Sequence, residues 1–232
     1  MMNFKGIGNW ELLLKKMTWQ QLGEIKNKKI LDFGSGNGLN ADYYANDNDV
    51  MAIEPAESMI SSRVPANNYK QIQGGLEQLK NYEDESFDII FCHNVFEYAD
   101  ERKEILKEFT RLLKKDGFIS IIKHNRAGRV MQMAVLLNDF EHANELLAGE
   151  NGQSQNFGII NYYENIDLVK WSDKLKIQKI YGMRTFWDLQ QNQEIQSSEI
   201  WQKQMLEIEN KVSEIDAYRN IAFFHHIILR KG

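Results

Sequence analysis

The chain has 232 residues, 43% of them hydrophobic and 26% charged, enough for one globular domain with a full-sized core. Its net charge of −5 excludes a globally basic nucleic-acid footprint, and a single cysteine, Cys92, excludes an internal disulfide. No stretch reaches the roughly 18 apolar residues of a membrane span, and "MMNFKGIGNWELLLKKM" lacks the apolar segment of a secretory signal, so a cytoplasmic protein without a membrane partner is expected.

Short apolar runs alternate with longer helical patterns. In chain order the spacing predicts a helix over 9–24, a strand over 28–33, a helix over 39–46 and a strand over 49–54. A helix over 56–62 and strands over 69–73 and 87–93 follow, then a helix over 100–115 and a strand over 117–123. Helices over 127–148 and 164–174, a strand over 176–183, a helix over 197–216 and a strand over 221–230 complete the pattern. Several runs, such as 87–93 (FDIIFCH), are continuously apolar, as strands buried on both faces should be. In 100–115, Ile105, Leu106, Phe109, Leu112 and Leu113 share one face, and Lys114 and Lys115 are expected in its last turn. This alternation predicts an α/β fold, a doubly wound seven-stranded and mostly parallel Rossmann-like sheet. The short turn into the last strand makes that strand antiparallel. With two prolines, Pro55 and Pro65, and no low-complexity linker, one domain is expected over 1–232, with a helical insertion over 127–175 after the fifth strand. Its part 127–155, closing on "AGENGQSQN", suits a lid.

The sharpest local signal is "KKILDFGSGNGLNADYYA", 28–45. The strand over 28–33 carries Asp32 two residues before Gly34, and Gly36 and Gly38 follow. In open α/β sheets ligands bind beyond the carboxyl ends of the strands, and the turn after the first strand is the usual nucleotide cradle. The spacing is G-x-G-x-G; the last position of a dinucleotide fingerprint is Leu39, which disfavours NAD and suits a nucleoside with an amino-acid tail. The second strand ends in Glu54, 20 residues after Gly34, where a carboxylate can accept both hydrogen bonds of a ribose diol.

After the fifth strand, Lys123, His124, Arg126 and Arg129 cluster at the ligand-facing edge, where they could hold an anionic acceptor or form a solvated turn. In "GMRTFWDL", Arg184 stands in an apolar stretch and either pairs with Asp188 or meets substrate. His225 and His226 are adjacent in a strand and point to opposite faces, so no metal site is expected.

"LDFGSGNG", "AIEP", "GGLEQLKNYEDESFDIIFCHNVFEYA" and "LLKKDGFISI" resemble, in order, motifs of the class I S-adenosylmethionine-dependent methyltransferases, over about residues 25–125. The resemblance implies S-adenosylmethionine as cofactor. It sets Gly34, Ser35 and Gly36 of the Gly34–Gly38 turn beside the methionine part, with Asp32 organising the loop. Glu54, followed by Pro55, would hold the ribose. Met59 would pack on the adenine or serve only the core, and Leu76 and Glu77 would flank its edge, Glu77 being otherwise a solvated helix residue. Gly75 stands where that family often has an Asp. His93 and Asn94 would border the sulfonium, His93 being alternatively a hydrogen-bonded structural residue.

A closer resemblance takes "CHNVFEYA", "HNRAGRVMQMAVLLNDFEHA", "GMRTFWD" and "EIENKVSEIDAYRNIAFFHHIILRKG" in order; it is to the tRNA 5-carboxymethoxyuridine methyltransferases, which esterify the carboxylate of a modified wobble uridine. It implies substrate or RNA contact for Arg126, Arg184, Tyr218 and Arg219. Leu13 and Leu14 occupy the area where that family would have an arginine.

Methyl transfer is an in-line displacement that needs alignment and exclusion of water. A carboxylate needs no general base; an amine or hydroxyl does, and only His93 and His124 offer one. The expectation is a methyltransferase acting on tRNA or on a small organic metabolite, with His93, Arg126 and Arg184 positioning the substrate. A non-catalytic S-adenosylmethionine-binding protein is the alternative.

Overall fold

The structure, a computed structural model, describes residues 7–63, 66–154 and 158–232. Pro65, the first six residues and the last two of "AGENGQSQN" lie outside the described residues. In chain order the elements are α1 (Asn9–Leu22), β1 (Lys29–Phe33), α2 (Leu39–Ala45), β2 (Asp49–Glu54), α3 (Glu57–Ser61), β3 (Lys70–Gln73) and α4 (Leu76–Leu79). Then come β4 (Phe87–His93), α5 (Arg102–Leu112), β5 (Leu113–His124), α6 (Arg126–Val135), α7 (Phe140–Leu147), β6 (Gly152–Ser154) and β7 (Gly158–Ile160). The chain closes with α8 (Asp167–Trp171), β8 (Leu175–Met183), α9 (Gln193–Ser197), α10 (Glu199–Val212), α11 (Asp216–Arg219) and β9 (Phe224–Lys231).

Seven strands form one sheet in the order β3-β2-β1-β4-β5-β9-β8. β9 runs antiparallel to both neighbours and the other pairings are parallel. The order reverses between β1 and β4, so the ligand crevice lies at the carboxyl ends of these strands. Side-chain alternation fills both faces. Ile30, Ala52, Ile89 and Phe91 pack with Trp19, Ala41 and Tyr44, while Leu31, Ile53, Ile90 and Ile121 pack with Leu106, Phe109 and Leu112.

Three expectations are corrected. The helix expected over 127–148 breaks: Asn138 takes φ +53°, and Asp139 caps α7 by accepting the His142 N–H at 3.0 Å. A small two-stranded sheet, β6 with β7, closes the insertion. The chain leaves α5 extended at Leu113, so Lys114 is in a strand and pairs with Asp88 at 3.0 Å. The insertion has its own core of Met133, Ala143, Leu146, Ile160 and Tyr162. Gly128 lets α6 approach the segment leading into β9 closely, since a Cβ there would lie 2.3 Å from the Ala222 carbonyl oxygen.

Candidate cofactor and acceptor site

The three glycines do different work. All have positive φ: +73° at Gly34, +58° at Gly36 and +80° at Gly38. A Cβ on Gly34 would lie 2.2 Å from Val95 Cγ2, and one on Gly38 would lie 1.9 Å from Tyr69 Oη. These two are excluded by the protein's own side chains. A Cβ on Gly36 would meet only the flexible tip of Met59, at 3.2 Å, so Gly36 alone faces the open side of the turn. Gln71, from β3, braces the loop by donating to Ser35 Oγ and the Gly36 carbonyl, both at 2.9 Å.

Glu54 is buried at the end of β2, and its two carboxylate oxygens accept from Gly36 N at 2.7 Å and Ala56 N at 2.9 Å. It ties the loop down and keeps lone pairs for a further donor. Met59 is half-buried over Gly36, outside the described core clusters, so the core-only reading does not hold. Pro55 is exposed, and Leu76 packs on the main core. Glu77 is exposed and turns back to accept from Gly75 N at 2.8 Å, which with its own backbone N–H holds it below the usual carboxylate range.

Asp32 is 2% exposed, and its Oδ2 has no hydrogen-bond partner. Burial pushes it up to about 6, partly opposed by the nearby Lys15 ammonium and a backbone N–H of Ala41. Burial in turn pulls Lys15 down, against Asp32 and Glu11. Lys15, on α1, thus stands by the carboxyl ends of β1 and β4. The sequence reading passed over it: it follows Leu13 and Leu14, and only the packing of α1 on the sheet brings it here.

His93 belongs to a hydrogen-bonded relay in which both of its ring nitrogens are used. The Trp19 indole N–H donates to Asn40 Oδ1 at 3.3 Å, so Asn40 Nδ2 donates to His93 Nδ1 at 2.9 Å. His93 therefore carries its proton on Nε2 and donates to Ser120 Oγ at 2.8 Å. Ser120 donates to His226 Nε2 at 2.8 Å, and His226 Nδ1–H donates to Gln21 Oε1 at 2.7 Å. Burial, with His226 and Lys15 nearby, holds His93 well below the usual histidine range, and burial holds His226 at about 3. Both stay neutral and fully bonded, so His93 as a general base is corrected to a structural residue. Asn94, next in the chain, takes φ +57° and leaves its Oδ1 buried without a partner. His225 faces the other way, between Asn165 and the Arg219 carbonyl oxygen.

The cations after β5 part company. Strand alternation sends Lys123 to the opposite face from His124, 4.6 Å from the Tyr163 ring centroid and beside Glu97. Glu97 is fully buried, accepts from His124 N at 2.5 Å, and is pushed up to about 7 by burial. Arg126 donates to the carbonyl oxygens of Leu146 and Glu150 at 3.1 and 2.5 Å and lies over Tyr162. It closes the carboxyl end of α7 through Nη1. Arg184 is 8% exposed, ion-paired to Asp188 and stacked over Trp10, Phe223 and Phe224. Arg129 reaches the same Phe223 ring and stands close enough to His124 to help Arg184 and burial push that imidazole down to about 3. His124 is therefore no base either. Arg129, His124 and Arg184 come together around Phe223, while Arg126 lies over Tyr162 and Lys123 over Tyr163. Tyr218 and Arg219, on α11, are taken by Phe186 and Asp216.

A cleft of about 1090 Å³ between α1, α2 and α10, lined by Lys16, Trp19, Tyr43 and Lys203, lies away from the glycine loop. Among the described residues no group of three or more His, Cys, Asp or Glu could hold a metal ion, and no helix is long and apolar enough to cross a membrane.

Residues 31–121 match a family model described as a methyltransferase domain. The ubiquinone biosynthesis O-methyltransferase of Acinetobacter baylyi is 25% identical over 132 residues, 52% of this chain and 55% of that protein. The matched stretch thus spans about half the length of the curated relative. The Haloferax volcanii methyltransferase solved with its Trm112 activator superposes with a TM-score of 0.62 at 13% identity, over 98% of this chain and 92% of that one. The plantazolicin methyltransferase, solved with S-adenosylhomocysteine, gives 0.56 at 14% identity, over 96% and 84%. The chain therefore has the fold of the class I S-adenosylmethionine-dependent methyltransferases, and its residues 31–121 are similar to a methyltransferase domain.

Proposed function

We propose that the chain transfers a methyl group to an acceptor seated at the carboxyl ends of β4 and β5. The observation that carries this reading is Gly36, the one loop glycine whose Cβ direction is open, set between Glu54 and Met59. Bound S-adenosylmethionine supplies the electrophilic methyl group for in-line displacement. Asp32, Gly34, Ser35 and Gly38 shape the loop. Glu54 has lone pairs free for the ribose hydroxyls, and Lys15 stands where it can face the amino-acid tail. The insertion over 127–175 serves as the lid that keeps water out.

The acceptor atom is an oxygen in this reading. His93 and His124 are neutral and poorly basic, which suits a nucleophile already ionised at neutral pH. The resemblance to tRNA 5-carboxymethoxyuridine methyltransferases names such a nucleophile, a carboxylate on a wobble uridine. The likeness to a ubiquinone biosynthesis O-methyltransferase favours a second acceptor class, a small metabolite. Incubation with methyl-labelled S-adenosylmethionine and either total RNA or metabolite extract separates them. Label in RNA supports the tRNA reading, label only in small molecules supports the second, and cofactor binding without transfer leaves a binding protein.

A further inference from the structure

We propose that Glu209, on α10, is a positioning residue for methyl transfer: it holds the loop over 184–188, and with it Arg184, in the strained form that faces the acceptor. This rests on the methyl-transfer reading above and adds a residue that touches neither cofactor nor acceptor.

The loop begins where β8 ends, at Met183, and Arg184 turns the chain with φ +59°. A residue with a Cβ seldom takes that conformation and keeps it only where its surroundings impose it. Phe223 N donates to the Arg184 carbonyl oxygen at 3.3 Å. The next three N–H groups, of Thr185, Phe186 and Trp187, donate to the Glu209 carboxylate at 2.8, 2.9 and 3.0 Å. Successive N–H groups aimed at one point make a nest for an anion. Glu209 fills this one from 22 to 24 residues away.

Helix capping does not account for it. Asp139, Asn192 and Ser198 cap α7, α9 and α10 from the residue just before each helix. Glu209 comes from a distant helix, is fully buried, and also binds Thr185, which lies outside the short 3-10 turn Trp187–Leu189. The charge it feels is that of Asp188, a like charge, which together with burial pushes its carboxyl above the ordinary range against the three N–H groups. A buried carboxylate without a cation and an arginine in the left-handed region are both unfavourable, and they meet at one loop. Local rules broken together in this way mark a conformation kept for what it presents.

What it presents is Arg184 and Asp188. The guanidinium carbon lies 4.9, 5.0 and 5.5 Å from the ring centroids of Trp10, Phe223 and Phe224, near enough to His124 to help hold that imidazole neutral. This is the carboxyl end of β5, where the acceptor is placed. Arg184 Nε, Asp188 Oδ2 and Thr185 Oγ1 are buried without partners, so the loop carries donors and acceptors that the protein leaves unused. Trp187 anchors the far side, 4.9 Å from Trp201 of α10. With the Glu209 clamp released, the backbone at Arg184 relaxes to negative φ, and the guanidinium leaves Phe223.

The test is a cycle of Glu209→Gln, Arg184→Met and the double variant. Glu209→Gln keeps the shape and one oxygen but sets an amide donor against the loop N–H groups. Labelled methyl transfer from S-adenosylmethionine is followed at low acceptor concentration, in whichever pool takes label, total RNA or metabolite extract. Glu209→Gln should slow transfer at least tenfold with S-adenosylhomocysteine affinity within twofold of wild type. The double variant should be no more than twofold slower than Arg184→Met, because residues that act through one another do not lose independently. A Glu209→Gln rate within twofold of wild type, or losses that multiply in the double variant, overturns the proposal. The second measurement is the nitrogen-15 NMR signal of the Arg184 Nε–H, identified as the one that Arg184→Met removes. It should shift in Glu209→Gln, or in Glu209→Asp if the glutamine variant does not fold; an unmoved signal overturns the proposal. No transfer by wild type into either pool overturns the methyl-transfer reading instead, and the Arg184 signal then decides whether Glu209 positions the loop.

Discussion

Replacing Gly36 with alanine separates the loop's conformation from its function. At φ +58° a Cβ costs about 1–2 kcal/mol in the left-handed region. The added carbon meets only Met59 Cε at 3.2 Å, which moves aside by a few tenths of an ångström. For a chain of this size each kcal/mol lowers Tm by about 2–4 °C, so the expected fall is about 2–8 °C, with cooperative unfolding. Gly34→Ala and Gly38→Ala bear the same conformational cost and add clashes, the new Cβ lying 2.2 Å from Val95 Cγ2 and 1.9 Å from Tyr69 Oη, so both should melt lower still. Cofactor binding should rank the other way for a given loss of stability, because only the Gly36 methyl projects into the open side of the turn. Scanning fluorimetry gives the first ranking and calorimetry with S-adenosylhomocysteine the second. A Gly36→Ala protein that binds within twofold of wild type, or that melts below Gly34→Ala, refutes the reasoning.

Asp32 gives a pH signature. Between the ordinary carboxyl value of 3.8 and about 6, the unfolded chain ionises while folded Asp32 keeps its proton. The folded state therefore loses stability as pH rises through that window, by about 3 kcal/mol, and Asp32→Asn should flatten that slope in urea melts. Ser120→Ala should strand the His93 Nε2–H and His226 Nε2 at about 1–3 kcal/mol each, measurable by urea denaturation. Arg184→Met should cost about 3 kcal/mol by leaving Asp188 unpaired, with S-adenosylhomocysteine affinity unchanged; recovery in the double variant with Asp188→Asn would confirm the pair in the same melts.

The strands were legible because their apolar runs are long and their boundaries polar. Ile30-Leu31 and Ile89–Cys92 fill opposite faces of one sheet, and this reads as continuous hydrophobicity. The acid that ties down the glycine loop was legible because Glu54 ends a strand 20 residues after Gly34. The break of the insertion helix carried a local signal, the Asn138-Asp139 pair, which the apolar periodicity around it masked. Roles fixed by distant partners were not legible. Gln71 braces the glycine loop from 35 residues away, and Lys15 meets Asp32 only through the packing of α1. The arginines show the limit most clearly: 126, 129 and 184 are alike in sequence, and only their partners separate a helix cap, a cation on side-chain and backbone amides and a neutralised pair.

The most direct measurement is a calorimetric titration of wild type and Glu54→Gln with S-adenosylhomocysteine, with NAD as the control ligand. Wild type should bind S-adenosylhomocysteine saturably, one to one, and show no saturable binding of NAD. Glu54→Gln, losing charged hydrogen bonds worth about 1.5–3 kcal/mol, should bind about ten- to a hundredfold more weakly. Saturable NAD binding by wild type, or S-adenosylhomocysteine affinity in Glu54→Gln within twofold of wild type, would contradict the account.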